Sequence, residues 1–424
     1  MAKTVENQQE EQGFWGKLFT GDRALWTIIA LMMVISILVV YSSTAKMVYQ
    51  GASDTGTYSY MFKQIFFVLF GLAIMLGVHK IECKYYRSLA WVVYFLFLGM
   101  TIAAYIPGIG VVINGARRWL NLGIITIQPS ELLKVATILI LAKQLGSRQQ
   151  RIEKMDLLPP LEFWRWGRTW RRVKRTLNES TIPILGPVVL SCAVILPAHT
   201  SSAALLFLTC WIMLAIGRVR GGELVRLLLL AVAAALLAMG ALNIGRSDTA
   251  AGRMDVWLNT LFGNEMVAVE DLSDTQRSMV AIYNGGLIGK GAGQSIMRVE
   301  LIHPECDYAF AFIVEEYGLL FAILIMMLYL WIFYRCKVIF DRCASGFSSL
   351  LVLGLGLMIT FQALIHILVT INFMPETGQP LPLISHGGSA MFSVSLALGL
   401  ILGVSREVAE KTLERPRSES LYEK

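Results

Sequence analysis

The stretch ALWTIIALMMVISILVVYSST, Ala24–Thr44, decides the architecture. It holds no charged residue, and about 20 mostly apolar residues carry a helix across the hydrocarbon core of a bilayer. It is too long for the apolar centre of a secretory leader and reads as an anchor. Nine more runs of helical length follow, at 62–79, 87–106, 124–145, 181–197, 200–217, 224–244, 308–334, 348–371 and 384–404. None of the runs alternates with period two, which argues against a β-barrel. The composition agrees, with 55% hydrophobic and only 16% charged residues among 424. The expected fold is an all-α polytopic membrane protein. It has ten transmembrane helices and a large extracytoplasmic loop, 245–307, between the seventh and eighth.

Lys and Arg set the orientation. The connection 146–180 carries Arg148, Arg151, Lys154, Arg165, Arg168, Arg171, Arg172, Lys174 and Arg175, and the connections 80–87, 218–223 and 335–347 are also basic. All fall on one side if residues 1–23 are cytoplasmic and the spans alternate, so 406–424 returns to the cytoplasm. The net charge of +7 is therefore a topology signal and not a nucleic-acid surface. WRWGRTWRR, Trp164–Arg172, suits an interfacial segment on anionic lipid. The six cysteines form no metal-ligand spacing and no disulfide framework, and read as packing residues.

Chemistry concentrates at the opposite, outer side. Arg117 and Arg118 sit in the short connection VINGARRWLNLG, followed by Trp119. Paired guanidinium groups match phosphate oxygens, so these residues are candidate ligands for a lipid phosphate or diphosphate. Headgroup anchoring is the plainer alternative. In IQPSELLKVA, Glu131 and Lys134 share a helix face. Each charge at membrane depth costs about 2.5–3.5 kcal/mol, so the two form a structural ion pair or Lys134 reaches an anionic headgroup. Ser130 is a candidate helix cap. The outer loop supplies Glu270, Asp271 and Asp274, any of which is a candidate general base. Glu315, Glu316 and a polar face of Gln362, His366 and Thr370 suit interhelical bonding or a proton relay. The stretch PETGQPLPLISHGGSA, Pro375–Ala390, is a rigid outer loop.

GARRWL, QPSELLK, GGLIGKG, the PEC-D stretch before EEYG, and PxTGxxLPLISxGGS occur in this order. Together they resemble the SEDS family of FtsW, RodA and SpoVE proteins, over residues 24–405. The wording of the last motif and the long N-terminal tail resemble the septal, FtsW-like branch more than the elongation branch. The resemblance implies a peptidoglycan glycosyltransferase that polymerises lipid II at the outer face of the inner membrane, beside a class B penicillin-binding protein and other divisome proteins. Arg117, Arg118 and Lys134 would hold the donor diphosphate. Glu131, Ser130, Trp119, Lys290, Asp307, Ser385, Gly387 and Gly388 complete the expected headgroup site. Inversion from an α donor to a β linkage follows from direct displacement.

The chain departs from the family pattern at chemically important positions. The family's catalytic acid stands in a D-P-x-G-x-G-Y-Q stretch, where this chain reads VAVEDLSDTQRS. An ungapped match puts Val267 there; a short gap brings in Asp271 or Glu270, with Asp274 third. Cys306 replaces a histidine ahead of Asp307, and AHTSSAALL, Ala198–Leu206, lacks the acid of the common Q-P-D-L-G-T-A. No cofactor is implied apart from a divalent cation, Mg or Mn, bridging a carboxylate and the diphosphate. A lipid flippase would need the arginines but no base. A proton-coupled transporter would need Glu315, Glu316, Lys134 or His366 to change charge.

Overall fold

The computed structural model describes residues 19–43, 57–113, 116–121, 123, 126–149, 152, 156–159, 173–242, 252–254, 257–258, 260, 272–297, 300–301 and 304–422. Each apolar run of the sequence overlaps a helix among the described residues. In chain order these are α1 (Arg23–Ser43), α2 (Thr57–His79), α3 (Cys83–Ala103), α4 (Pro129–Arg148), α5 (Val173–Ile195), α6 (Thr200–Ile216) and α7 (Gly221–Leu242). The shorter helix α8 (Asp274–Gly285) follows, and then α9 (Ala309–Arg342), α10 (Gly346–Thr370) and α11 (Gly388–Tyr422). Seven of the helices are long and apolar enough to cross a bilayer by length and composition: α1, α2, α3, α5, α9, α10 and α11. At 17 residues α6 is shorter, and α4 dilutes its apolar run with Glu131, Lys134, Lys143 and Arg148.

Packing sorts the helices into inner and outer ones. Of the most apolar stretch in each, 78% of α10 and 89% of α11 is buried, against 22% of α2 and 28% of α3. The former pair is the protein's own core and the latter presents Leu and Phe outward, as a lipid solvent requires. α11 lies along α2 and α10, while α10 also touches α4, α6 and α9. α7 exposes Leu229, Leu236 and Leu237. Within α5 the residues Leu177–Leu185 widen into a π-helix around Pro183, whose missing N–H removes one regular helix bond.

The all-α expectation misses one element. β1 (Gly110–Ile113), β2 (Ala116–Asn121) and β3 (Thr126–Ile127) form a small antiparallel sheet in the order β1-β2-β3. The arginine stretch expected to be a loop is therefore a strand. Val111, Val112 and Ile113 are β-branched, pair with 116–119 and favour this backbone. A second correction concerns Ser130. Gln128 is the N-cap of α4 and Pro129 starts the helix, where its fixed φ is pre-organised; Ser130 lies inside the first turn and accepts from Gln128 Nε2.

Two buried carboxylates tie the Gly-rich turn that follows α8 to the core. Glu315 accepts from Ser295 Oγ and from the Ile296 and Met297 amides. Glu316 accepts from Ser42 Oγ of α1 and the Gly293 amide. The turn crosses α9 where Gly318 adopts φ 85°. A Cβ there would meet Leu287 O at 2.4 Å, so only glycine fits on both conformational and steric grounds.

Candidate active site

The hairpin, α8, the start of α9 and the 371–387 connection meet at one end of the bundle. The β1–β2 pairing carries a bulge at this step: Val112 pairs with Arg117 and Val111 with Trp119, which leaves Arg118 as the extra residue. Arg118 is half-buried and donates Nη1–H to Ala198 O at 3.5 Å, while its Nε has no hydrogen-bond partner. Burial lowers its pKa, Asp307 opposes that shift, and Arg253 and Glu131 act within electrostatic reach. Arg117 packs over Gly110, with its Nε also unpartnered. Trp119, beside Arg118, has an unpartnered buried indole N–H.

Glu131 and Lys134 form the ion pair expected from their spacing, with Nζ 2.9 Å from Oε1 and side-chain exposures of 5% and 0%. The distance is that of an ion pair, but the alignment is poor, and Nζ makes no hydrogen bond. Lys134 therefore keeps donor capacity in a fully buried place. Ser393 Oγ of α11 donates to the Glu131 carbonyl and fixes this turn.

His199 was not anticipated. Its Nδ1 caps α6 by accepting from the Ser202 amide at 3.1 Å, which leaves the proton of the neutral ring on Nε2. Burial lowers its pKa to about 3, reinforced by Arg118, Lys134 and Arg253. Gln379 Nε2 donates to Ser202 Oγ at 2.7 Å, while Gln379 Oε1 is buried without a partner.

The acids lie alongside. Asp274 opens α8 behind a capping box of Ser273 and Gln276 and lies 3.8 Å from Arg277. Glu376 feels Arg253, Asp274, Asp307 and Tyr308, and burial is the main cause of its raised pKa. The Tyr308 hydroxyl, in a side chain only 1% exposed, lies against Glu376 without good hydrogen-bond geometry. Asp271 and Glu270 lie outside the described residues. Gly115, two residues before Arg117, does as well.

Other expected site residues sit elsewhere. Lys290 Nζ is 3.5 Å from Glu315, in the Gly-rich turn. Ser385 Oγ donates to Cys306 O at 2.9 Å and accepts from the Leu381 amide, so its hydroxyl holds the loop onto the start of α9. Gly388 packs under Phe67, and a Cβ at Gly387 would meet only Ala390 at 3.9 Å. His366 donates Nδ1–H to Gln379 O at 2.7 Å and accepts from the Phe310 amide at 3.4 Å. Gln362 donates to Pro380 O at 3.1 Å and Thr370 to His366 O at 2.7 Å. The polar face of α10 is therefore an anchor for the loop. Arg253, His199, Tyr308, Glu376 and Gln379 are the site members the sequence reading passed over. Only Tyr308, beside Asp307, and the two residues inside the Pro-Gly motif carried any signal.

A polytopic membrane protein with unpaired cationic donors facing carboxyl groups at one end of the bundle is the class this geometry defines. The chain belongs to the FtsW/RodA/SpoVE family, described as cell cycle protein, whose model matches residues 22–410. The probable peptidoglycan glycosyltransferase FtsW of Dichelobacter nodosus is 30% identical over 422 residues, covering 95% of this chain and 94% of that protein. Its counterpart in Saccharophagus degradans is 28% identical, covering 93% and 94%. Stage V sporulation protein E of Bacillus subtilis is 27% identical, covering 91% and 97%. Among solved structures, a chain of a peptidoglycan synthase complex superposes with a TM-score of 0.66 at 22% identity, covering 92% of this chain and 98% of that one. The rod shape determining protein RodA of Thermus thermophilus gives 0.57 at 21% identity, covering 91% and 97%. These likenesses carry the fold.

Proposed function

We propose that this chain is a peptidoglycan glycosyltransferase that polymerises lipid II at the outer face of the inner membrane and releases undecaprenyl diphosphate. The observation that carries the reading is the set of buried, unpartnered donors on Arg118, Trp119 and Lys134, within reach of Asp307 and Glu131. Fixed cations at a leaving group stabilise the charge that develops as its bond breaks. Arg118 and Lys134 hold the donor diphosphate, with Arg117 beside them in the hairpin. The acceptor's 4-hydroxyl attacks the anomeric carbon from the opposite side, so configuration inverts. An outer-face acid takes the proton. The sequence offers Asp271, Glu270 and Asp274 for this, and the structure adds Glu376. Among the described residues no group of three or more His, Cys, Asp or Glu is placed to hold a metal by itself. A Mg or Mn ion would bind with the diphosphate as a co-ligand.

The relatives named FtsW favour a septal role beside a class B penicillin-binding protein and other divisome proteins over elongation. Both termini are cytoplasmic in this reading, with 24–405 as one ten-span domain. The transporter alternative loses support because Glu315, Glu316 and His366 are each engaged in bonds that hold loops. Purified protein with its transpeptidase partner, given lipid II in detergent, is expected to form glycan chains. Arg118→Ala is expected to lower the rate about 100-fold or more. Transbilayer movement of lipid II in vesicles without any polymer would support a flippase instead.

A further inference from the structure

We propose that Glu376 is the base that removes the proton from the acceptor sugar's 4-hydroxyl, a role that rests on the polymerase reading above. The family's usual acid position reads Val267 in the ungapped match. Glu376 occupies the free position of the P-x-T-G pattern, so an acid lost from one outer segment is matched by an acid in another.

The loop holds this residue firmly. Four backbone carbonyls in a five-residue span each accept from a different side chain. Glu376 O accepts from Arg253 Nη1 at 3.4 Å and Thr377 O from Ser201 Oγ at 2.8 Å. Gln379 O accepts from His366 at 2.7 Å and Pro380 O from Gln362 at 3.1 Å. Such pinning gives a side chain the fixed placement that proton transfer needs. Around the carboxyl lie Asp274 from α8, Asp307 and Tyr308 from the start of α9, and Arg253. The second observation is polar and unpaired. Gln379 Oε1, in a side chain 2% exposed, has no hydrogen-bond partner, while the Tyr308 hydroxyl, 1% exposed, lies against the Glu376 carboxyl. A buried acceptor of this kind is open to a donor such as a sugar hydroxyl. Arg118 also lies within electrostatic reach of Asp307, so the cations for the leaving group adjoin the acids for the nucleophile. Burial raises the Glu376 pKa; Arg253 and the Tyr308 hydroxyl oppose the shift and Asp274 and Asp307 add to it, which leaves the group closer to neutrality than an ordinary carboxylate.

In the step, the acceptor oxygen forms its bond to the donor's anomeric carbon as the bond from that carbon to the diphosphate oxygen breaks. The hydroxyl proton passes to a Glu376 oxygen. The electron pair leaves with the lipid diphosphate beside Arg118 and Lys134. Glu376 then returns its proton to water, and no redox partner is needed.

The test uses the full chain with its transpeptidase partner and purified lipid II, comparing Glu376→Gln, Glu376→Asp and the wild type across pH. Glu376→Gln is expected to lower polymerisation about 100-fold or more while lipid II binding stays within about twofold. Glu376→Asp is expected to retain measurable turnover, with the acid limb of its rate profile moved to lower pH, since aspartate ordinarily titrates below glutamate. The profile is shared with Asp274, Asp307, Tyr308, Arg253, Arg118 and His199, so the shift between the two acids is the diagnostic quantity. Polymerisation by Glu376→Gln within about threefold of wild type overturns the assignment. Parallel loss of lipid II binding also does so, since it makes Glu376 a binding group. Loss confined to Asp271→Asn, Glu270→Gln or Asp274→Asn, with Glu376→Gln active, returns the base to the preceding segment. Lipid II binding without polymer by the wild type overturns the polymerase reading and this one together.

Discussion

At the scale of single residues, the arginine pair shows what spacing reveals and what it conceals. Adjacent guanidinium groups read in the sequence as candidate phosphate ligands, with nothing to tell one from the other. The bulge leaves Arg118 as the extra residue of the strand, and Arg118 lies within electrostatic reach of Asp307, Arg253 and Glu131. Arg118→Ala is therefore expected to reduce polymerisation at least about tenfold more than Arg117→Ala in the same lipid II assay. The Glu131–Lys134 pair was legible because three residues on a helix share a face. Glu376 was not, because in sequence it resembles an ordinary turn residue between two prolines. His199 supplies a pH prediction. Its ring titrates at about 3 in the folded protein against 6.5 for the ordinary group, because of burial and the nearby cations. The unfolded chain therefore binds the extra proton, and the stability that depends on a neutral His199 is intact above 6.5 and lost as pH falls toward 3. His199→Asn keeps an acceptor for the Ser202 amide and is expected to flatten that dependence in thermal unfolding at pH values from about 7 to 4.

At the scale of elements, the helices were legible as apolar runs because such runs have no other stable form in lipid, but α5 starts eight residues before its run, and α9 and α11 continue eight and eighteen residues past theirs. The hairpin was missed because it lies between runs, and two arginines and Asn121 interrupt its apolar pattern. The Gly-rich turn was legible as a turn, but its docking onto Glu315 and Glu316 was not, since nothing local marks a carboxylate as the acceptor of distant amides. Glu315→Ala is expected to destabilise the protein by about 3 kcal/mol or more, because three donors lose one acceptor inside the fold. Gly318→Ala combines an unfavourable φ with a 2.4 Å clash against the turn. It is expected to cost about 2 kcal/mol or more. Both effects are measurable as a lowered unfolding temperature in detergent.

For the whole molecule, the family architecture explains why the site lies where it does. α10 and α11 form a buried centre, and their outer ends carry the loop that runs from Ile371 to Gly387. That loop collects bonds from α6, α9 and α10 and faces the hairpin next to the amino end of α4. Fixed charges thus sit at the edge of the bundle while apolar side chains on α2, α3 and α7 meet lipid. This arrangement suits a substrate with an isoprenoid tail and a charged head. The central claim is that Arg118 and Lys134 hold the substrate's diphosphate, and a structure of the full chain with lipid II bound tests it most directly. The account predicts phosphate oxygens within hydrogen-bonding distance of Arg118 and Lys134 and the sugar hydroxyls facing Glu376. A diphosphate seated elsewhere on the bundle, with both side chains as they stand now, would contradict it.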